Sequence, residues 1–233
     1  MAILNEHVKQ QLRERLEARL SGPVRLTLYT RPGTGRLILP SGLGCATCDD
    51  ARGLAEALRE AAPDLIHLQV VDVTAEEADV SEVPTLTLAF PGEEPRIRWV
   101  GLPDGFEFAT VVDAIERVSS GDHGLSEPTL EALEKVTEPV EITVFATPSC
   151  RYCPQAVGLA NRMALVSPLV SARTVEANEF PELSQRYGVQ GVPRTVVNDR
   201  GAFVGALPEE QFVEAVLRLA GAAANGSESA PAS

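Results

Sequence analysis

All the cysteines of the chain occur in two Cys-x-x-Cys pairs. The first pair is Cys45 and Cys48, and the second pair is Cys150 and Cys153. This spacing brings two thiols close enough to form a disulfide when they lie at the start of a helix. The unpaired backbone N–H groups there also stabilise a thiolate. The pattern therefore predicts dithiol–disulfide exchange at two separate sites.

The residues around the second pair favour a reactive thiolate. Arg151 places a cation beside Cys150, and Pro154 suits the first turn of a helix, where its missing N–H costs little. We expect Cys150 to lie in that first turn and to attack a substrate disulfide. Cys153 then attacks the mixed disulfide and releases the reduced substrate. Arg151 and Tyr152, between the two cysteines, are predicted to contact the substrate.

A Val-Pro dipeptide follows each cysteine pair at a similar distance. The dipeptides are Val83-Pro84 and Val192-Pro193, and their prolines come 39 and 43 residues after the first cysteine of each pair. A cis proline opposite a dithiol has no N–H to donate, and the backbone beside it can pair with an extended substrate segment. We therefore predict a cis bond at Val192-Pro193 and a substrate-binding role for both dipeptides.

The two halves of the sequence repeat one order of elements. Each half has a strand before its cysteines, a helix after them, a second strand, a hairpin after the Val-Pro and a final amphipathic helix. This βαβαββα order, repeated twice, predicts an α/β protein of two fused domains. The segment between the second strand and Pro84 is shorter than its counterpart, so we expect a reduced second helix in the first half. Residues 31–44 also include 11 residues without a counterpart in the second half.

Charge and hydropathy exclude several classes of function. The chain of 233 residues carries a net charge of −13, and an acidic surface is repelled by nucleic acid and by anionic membranes. No segment approaches the ~20 apolar residues of a membrane span, and charged residues interrupt the N-terminal region. We therefore predict a cytoplasmic protein, a compartment in which paired cysteines are usually catalytic or metal-binding.

A zinc site is the alternative interpretation of two Cys-x-x-Cys pairs, because four thiolates are a common zinc ligand set. Against it, 101 residues lie between Cys48 and Cys150, far more than in zinc ribbons. Each pair also has its own strand, helix and Val-Pro dipeptide. Redox chemistry without a metal is therefore the favoured prediction.

Together these features resemble the tandem thioredoxin-fold protein disulfide oxidoreductases, a glutaredoxin-like family. The most specific pieces are residues 101–103 with 107–109, residues 144–148 before the second pair, and Val189 before the second Val-Pro dipeptide. The resemblance implies two thioredoxin-like (βαβαββα) domains fused through their sheets, and protein disulfide oxidoreductase activity. It further implies no cofactor beyond redox-active disulfides, with electrons supplied by a thioredoxin-reductase-like flavoprotein.

The resemblance also assigns roles to individual residues. It places the second pair on the family's C-terminal active pair and Pro193 on its cis proline, while the first pair and Pro84 fall on the N-terminal equivalents. Arg151 departs from the proline common in glutaredoxin-type sites, and the first pair lacks an aromatic third residue. With neutral residues between its cysteines and an insertion beside it, the first site is predicted to be the weaker one.

The resulting domain prediction has five segments. They are an N-terminal amphipathic helix over 1–22, a first thioredoxin-like domain over 23–118, a linker over 119–138, a second thioredoxin-like domain over 139–221 and a flexible tail over 222–233.

The leading functional hypothesis is an enzyme that reduces, forms or isomerises protein disulfides, mainly at the second site. Its expected partners are disulfide-containing proteins and the flavoprotein reductase, not nucleic acid or a membrane. One alternative is a dedicated electron carrier to a peroxiredoxin-type partner. The other is a chaperone-like binding module, in which the cysteines would be dispensable.

Overall fold

A helix precedes two α/β halves in the computed structural model, which describes residues 4–32, 44–75 and 80–221. The first half comprises α1 (Glu6–Arg19), β1 (Val24–Thr30), α2 (Cys48–Ala61), β2 (Ile66–Asp72), β3 (Thr85–Ala89), β4 (Ile97–Val100) and α3 (Phe106–Ser120). The second half comprises α4 (Glu127–Leu133), β5 (Val140–Ala146), α5 (Cys153–Val166), β6 (Val170–Glu176), α6 (Pro181–Arg186), β7 (Arg194–Val197), β8 (Gly201–Val204) and α7 (Glu209–Ala220). Most of the predicted insertion, residues 33–43, and the predicted tail lie outside the described residues.

One eight-stranded sheet runs through both halves in the order β2-β1-β3-β4-β6-β5-β7-β8. The halves meet where β4 pairs in parallel with β6, and Trp99 lies opposite Thr174 in this pairing. The Ala172 N–H continues the pairing by donating to the Arg96 carbonyl oxygen at 2.8 Å. We call this pairing the β4–β6 junction. The expected fusion of two thioredoxin-like folds through their sheets is thus confirmed.

The predicted α/β class is confirmed, with one difference between the halves. From β5 to α7 the second half has the full βαβαββα order. In the first half, the residues described between β2 and β3 contain no helix, and residues 76–79 lie outside the described residues, so the expected reduced second helix stays a prediction.

Equivalent backbone contacts show the structural repeat directly. The Gly101 N–H donates to the Pro84 carbonyl oxygen at 2.8 Å, and the Gly205 N–H donates to the Pro193 carbonyl oxygen at 2.9 Å. Both glycines have positive φ, +97° and +108°, a conformation that other residues rarely adopt. Each hydrogen bond holds the proline loop against the end of its own hairpin.

The core is continuous across the β4–β6 junction. Helix α1 buries Leu12 and Leu16 as it packs on α2, which confirms that the predicted N-terminal helix is amphipathic. Helix α3 of the first half packs on α5 of the second half, so helices of both halves share one layer. The Trp99 side chain is fully buried and its Nε1–H donates to Thr110 Oγ1 at 3.0 Å.

Neither half contains a membrane-spanning candidate in its described part, since no helix there is long and apolar enough to cross a bilayer. Helix α4 lies within the segment predicted as a linker. The domain limits drawn from the sequence stay a prediction.

Candidate active site

Each Cys-x-x-Cys pair forms its own disulfide. Cys45 is bonded to Cys48 and Cys150 to Cys153, with the Cα atoms 5.5 Å apart in both cases. The second cysteine of each pair is the first residue of a helix, α2 or α5. The expectation that Cys150 lies in the first helical turn was therefore wrong. A turn comes first, because the Cys150 N–H is bonded to the Thr147 carbonyl oxygen at 3.0 Å.

Cys150 nevertheless benefits from the N-terminus of α5. Its Sγ accepts the Cys153 N–H at 3.1 Å, a backbone donor of the kind that stabilises a thiolate. Cys150 is half-buried, whereas Cys153 is completely buried. Arg151 and Tyr152 are both exposed, Tyr152 to 65 %. In this pair Cys150 is thus the sulfur open to an incoming disulfide.

The two Val-Pro dipeptides share one backbone conformation. The Val83-Pro84 and Val192-Pro193 peptide bonds are cis, which confirms the prediction for the second dipeptide. Both prolines are buried and both valines are half-buried. At the first site, the Val83 carbonyl oxygen lies 3.7 Å from Cys45 Sγ. Val192 packs on the same apolar core as Cys150.

The first site opens into a cavity built by both halves. Its volume is about 530 Å³, and Cys45, Thr47 and Val83 form one side. Leu183 and Arg186 of α6 contribute the opposite side, from the second half. Cys45 itself is only 5 % exposed and is therefore less accessible than Cys150.

The second site also receives a contribution from the other half. The Phe106 N–H, at the start of α3, donates to the Pro148 carbonyl oxygen at 3.0 Å. Pro148 belongs to the loop that carries Cys150. The Phe106 side chain is 49 % exposed, which adds apolar surface beside the loop. The sequence patterns did not mark Phe106 as a site residue.

A buried acid lies next to this loop. Glu107 is 2 % exposed, and neither carboxylate oxygen has a hydrogen-bond partner among the described residues. Burial, assisted by the negative charge of Glu176, raises the pKa of Glu107 from its ordinary value of 4.5 to about 8. Glu107 lines a small cavity with Ala146 and Thr174, at the end of β5 that leads to the second pair.

Glu179, an acid of the second half, contacts the first site. Glu179 Oε2 accepts the hydroxyl of Thr47 at 2.6 Å, and its Oε1 accepts the Leu102 N–H at 2.7 Å. Burial raises the pKa of Glu179, whereas these two hydrogen bonds oppose that rise. Thr47 lies between the two cysteines of the first pair, so the two halves are in direct polar contact there.

The sequence contains a signal for two of these acids. Glu107 precedes Val111 by four residues and therefore lies on the apolar face of α3. Glu176 shares one face of β6 with Ala172 and Thr174, at the two-residue period of a strand. Nothing comparable marks Glu179, which follows β6 in a loop and acts across the interface.

The four cysteines are not arranged as a zinc site in this form, because each pair is closed in its own disulfide. Within residues 4–32, 44–75 and 80–221, no group of three or more His, Cys, Asp or Glu side chains could hold a metal ion.

A protein family and a crystal structure are similar to this chain in sequence and in fold. Residues 140–218 match the thioredoxin domain family. The crystal structure of a protein disulfide oxidoreductase from Aeropyrum pernix K1 is 33 % identical to the chain and superimposes with a TM-score of 0.77, covering 91 % of each chain.

The alkyl hydroperoxide reductase AhpF is also similar to the chain. The Enterococcus faecalis protein shares the fold at 21 % identity, with a TM-score of 0.78 over 92 % of this chain and 99 % of the other. Its counterpart from Staphylococcus epidermidis is 27 % identical over 191 residues, or 82 % of this chain and 33 % of that protein. The chain thus spans about a third of the length of the curated relatives it matches.

Proposed function

From the premise that the chain belongs to the family of tandem thioredoxin-fold protein disulfide oxidoreductases, we propose that it exchanges disulfides with protein substrates, chiefly at the second site. One observation carries the proposal. Each Cys-x-x-Cys disulfide lies at the start of a helix, and each half also has a cis Val-Pro peptide bond. Such a site presents a nucleophile and a backbone surface for an extended segment.

The reduced second pair would act in two steps. The Cys150 thiolate attacks one sulfur of the substrate disulfide, that S–S bond breaks, and the departing substrate thiolate takes up a proton. Cys153 then loses its proton and attacks Cys150 Sγ, which releases the second substrate thiolate. Two electrons have moved from the dithiol to the substrate, and the Cys150–Cys153 disulfide seen in the structure is the oxidised product.

The proton on the buried Cys153 thiol needs an acceptor. Glu107 is the candidate acceptor, because it lines a small cavity with Ala146 at the end of the strand that leads to the second pair, and its pKa of about 8 lies close to that of an ordinary thiol. The preceding residue on α3, Phe106, is hydrogen-bonded through its backbone to Pro148 of the loop that carries Cys150.

Three features support the ranking of the second site over the first. Cys150 is more exposed than Cys45, and Arg151 adds a cation next to it. Tyr152 and Phe106 add exposed apolar surface beside the nucleophile, which suits contact with a protein substrate. Cys45, by contrast, lines the cavity between the halves and is 5 % exposed.

Turnover of one disulfide substrate, such as insulin, tests the proposal when dithiothreitol supplies electrons. Cys150→Ser should abolish most of the activity, and Cys45→Ser should leave a substantial part. If Cys45→Ser is the more damaging change, the ranking of the sites is wrong. If a variant without any of the four cysteines keeps full activity in a binding or aggregation assay, a chaperone-like module describes the chain better.

A second candidate is electron transfer to a peroxidase. It is favoured by the likeness to the alkyl hydroperoxide reductase AhpF over 82 % of the chain. A peroxide-consumption assay with a peroxiredoxin-type partner separates the two. A rate with the peroxidase far above the rate with insulin would favour the dedicated carrier.

An electron donor and a cellular location are part of the proposed function. A thioredoxin-reductase-like flavoprotein is the expected electron donor, and the chain itself would work through its cysteines without a bound cofactor. A cytoplasmic location belongs to the same proposal, since cytoplasmic reductants keep dithiols cycling.

A further inference from the structure

The Thr47 hydroxyl makes its hydrogen bond to the other half of the chain and not within its own helix. It occupies the N-cap of α2, where a threonine side chain normally accepts an N–H from the first turn. Thr47 makes no such capping bond, and its Oγ1–H donates instead to Glu179 Oε2 at 2.6 Å. A residue inside the first Cys-x-x-Cys is therefore tied to a carboxylate of the second half.

Hydrogen bonds fix both the carboxylate and the backbone of Glu179. The Leu102 N–H donates to its Oε1 at 2.7 Å, and the Glu179 N–H donates to Glu176 Oε2 at 2.5 Å. Gly101 makes the close approach possible, because a Cβ there would lie 2.7 Å from the Glu176 Cβ and 3.2 Å from Glu179 Oε1. The carboxylate cannot easily turn away from the first site.

Other charged groups share the surroundings of Glu179. From the first half, Arg31 and Glu82 line the same cavity. From α6, Glu182 and Arg186 do so, and both are exposed, so that water screens their fields. Glu176 lies next to Glu179 on the buried side, and its negative charge helps to raise the pKa of Glu107 on α3.

We propose that Glu179 is a positioning residue through which the second half lowers the thiolate fraction of the first cysteine pair. This inference rests on the proposed function, in which that pair exchanges disulfides. A negative charge fixed next to a dithiol disfavours ionisation of either thiol. The hydrogen bond from Thr47 keeps that charge beside the pair, so that Cys45 is a slower nucleophile than its helix N-terminus alone would make it.

The test isolates the first pair in a Cys150→Ser, Cys153→Ser background. After reduction, the rate of Cys45 alkylation by iodoacetamide is followed by mass mapping from pH 5 to pH 10. Glu179→Gln should move the midpoint of this profile down by about one pH unit and raise the rate near neutral pH several-fold. The arginines of the cavity are present in both proteins, so the difference reports on Glu179.

Two further variants separate charge from packing. Glu56→Gln removes one exposed carboxylate from α2 itself and should leave the profile in place. Thr47→Ser retains the hydroxyl and should behave like the background protein, whereas Thr47→Val should shift the profile. A Glu179→Gln profile that overlays the background protein, or moves to higher pH, overturns the inference, provided that circular dichroism shows the oxidised variant to be folded.

This measurement does not depend on turnover. If the wild-type chain fails to reduce insulin, the proposed function fails while the titration of Cys45 still reports on Glu179. If turnover is normal and the profiles coincide, only the role of Glu179 is lost.

Discussion

Phe106 in the first half and Pro148 in the second are joined by a backbone hydrogen bond of 3.0 Å. Pro148 precedes Cys150 by two residues, so the last helix of the first half is attached to the loop of the second dithiol. Gly105 allows this attachment. It has φ of +57°, and a Cβ there would lie 2.4 Å from the Pro148 carbonyl oxygen.

Gly105→Ala should therefore damage the second site specifically. The added methyl group must displace the Pro148 loop, and the backbone strain at positive φ costs about 1–3 kcal/mol. Gly92→Ala is the matched control, since Gly92 has φ of +86° but nothing within 4 Å of a Cβ. We expect both variants to lose stability in urea denaturation, and only Gly105→Ala to lose most disulfide reductase activity. Equal activities would mean that the loop tolerates displacement.

Cys150 should alkylate faster than Cys153 near neutral pH. Its sulfur is half-buried and accepts a backbone N–H, whereas Cys153 is completely buried. Brief iodoacetamide treatment of the reduced protein, followed by mass mapping, measures both rates in one sample. Preferential labelling of Cys153 would show that the attacking role had been assigned to the wrong sulfur.

Glu107→Gln should change how stability depends on pH. Glu107 keeps its proton up to about pH 8 in the folded chain, while the same carboxyl ionises near pH 4.5 when unfolded. Its favourable contribution is therefore complete below pH 4.5 and is lost as the pH rises to 8. Relative to the variant, the wild type should lose up to about 5 kcal/mol over this range.

Urea denaturation of the two oxidised proteins at about pH 4 and about pH 9 measures this difference, since these values lie on either side of the two pKa values. The cost of burying the glutamine amide is the same at both pH values, so it cancels. Parallel stability curves would show that Glu107 ionises in the folded chain as it does in water.

The two halves should unfold together. Trp99, the sole tryptophan, lies in β4 at the junction with β6, so its fluorescence reports on that junction while far-ultraviolet circular dichroism reports on both halves. We expect the two urea transitions to coincide. Ala172→Pro is the contrasting variant, because it removes the hydrogen bond from Ala172 to Arg96 and should separate the transitions. Separate transitions in the wild type would show that the halves are independent.

Much of the fold follows from periodicity that the sequence displays openly. The strand before each cysteine pair begins with alternating apolar and polar residues, and the leucines of α1 recur at a spacing of four. Local sequence patterns, including the spacing of cysteines and prolines, predicted the two dithiols and the cis Val192-Pro193 bond. They could not locate the turn that separates Cys150 from α5, because a difference of three residues leaves no mark in hydrophobic spacing.

The features that the sequence did not reveal depend on contacts between the halves. Glu179 reaches Thr47 across 132 positions of sequence, and Phe106 reaches Pro148 across a domain boundary. Neither residue type nor spacing signals such pairs, because they arise only when β4 and β6 pair. For Glu107, the sequence shows its place on an apolar helix face. It does not show that the carboxylate lacks a hydrogen-bond partner among the described residues.

The β4–β6 junction has an evolutionary consequence. Backbone hydrogen bonds contribute to holding it together, and these bonds form between peptide groups whatever side chains, other than that of proline, the strands carry. The two halves can therefore accumulate different substitutions around their cysteines without separating from each other. Duplicated sites can in this way specialise while the frame that carries them stays constant.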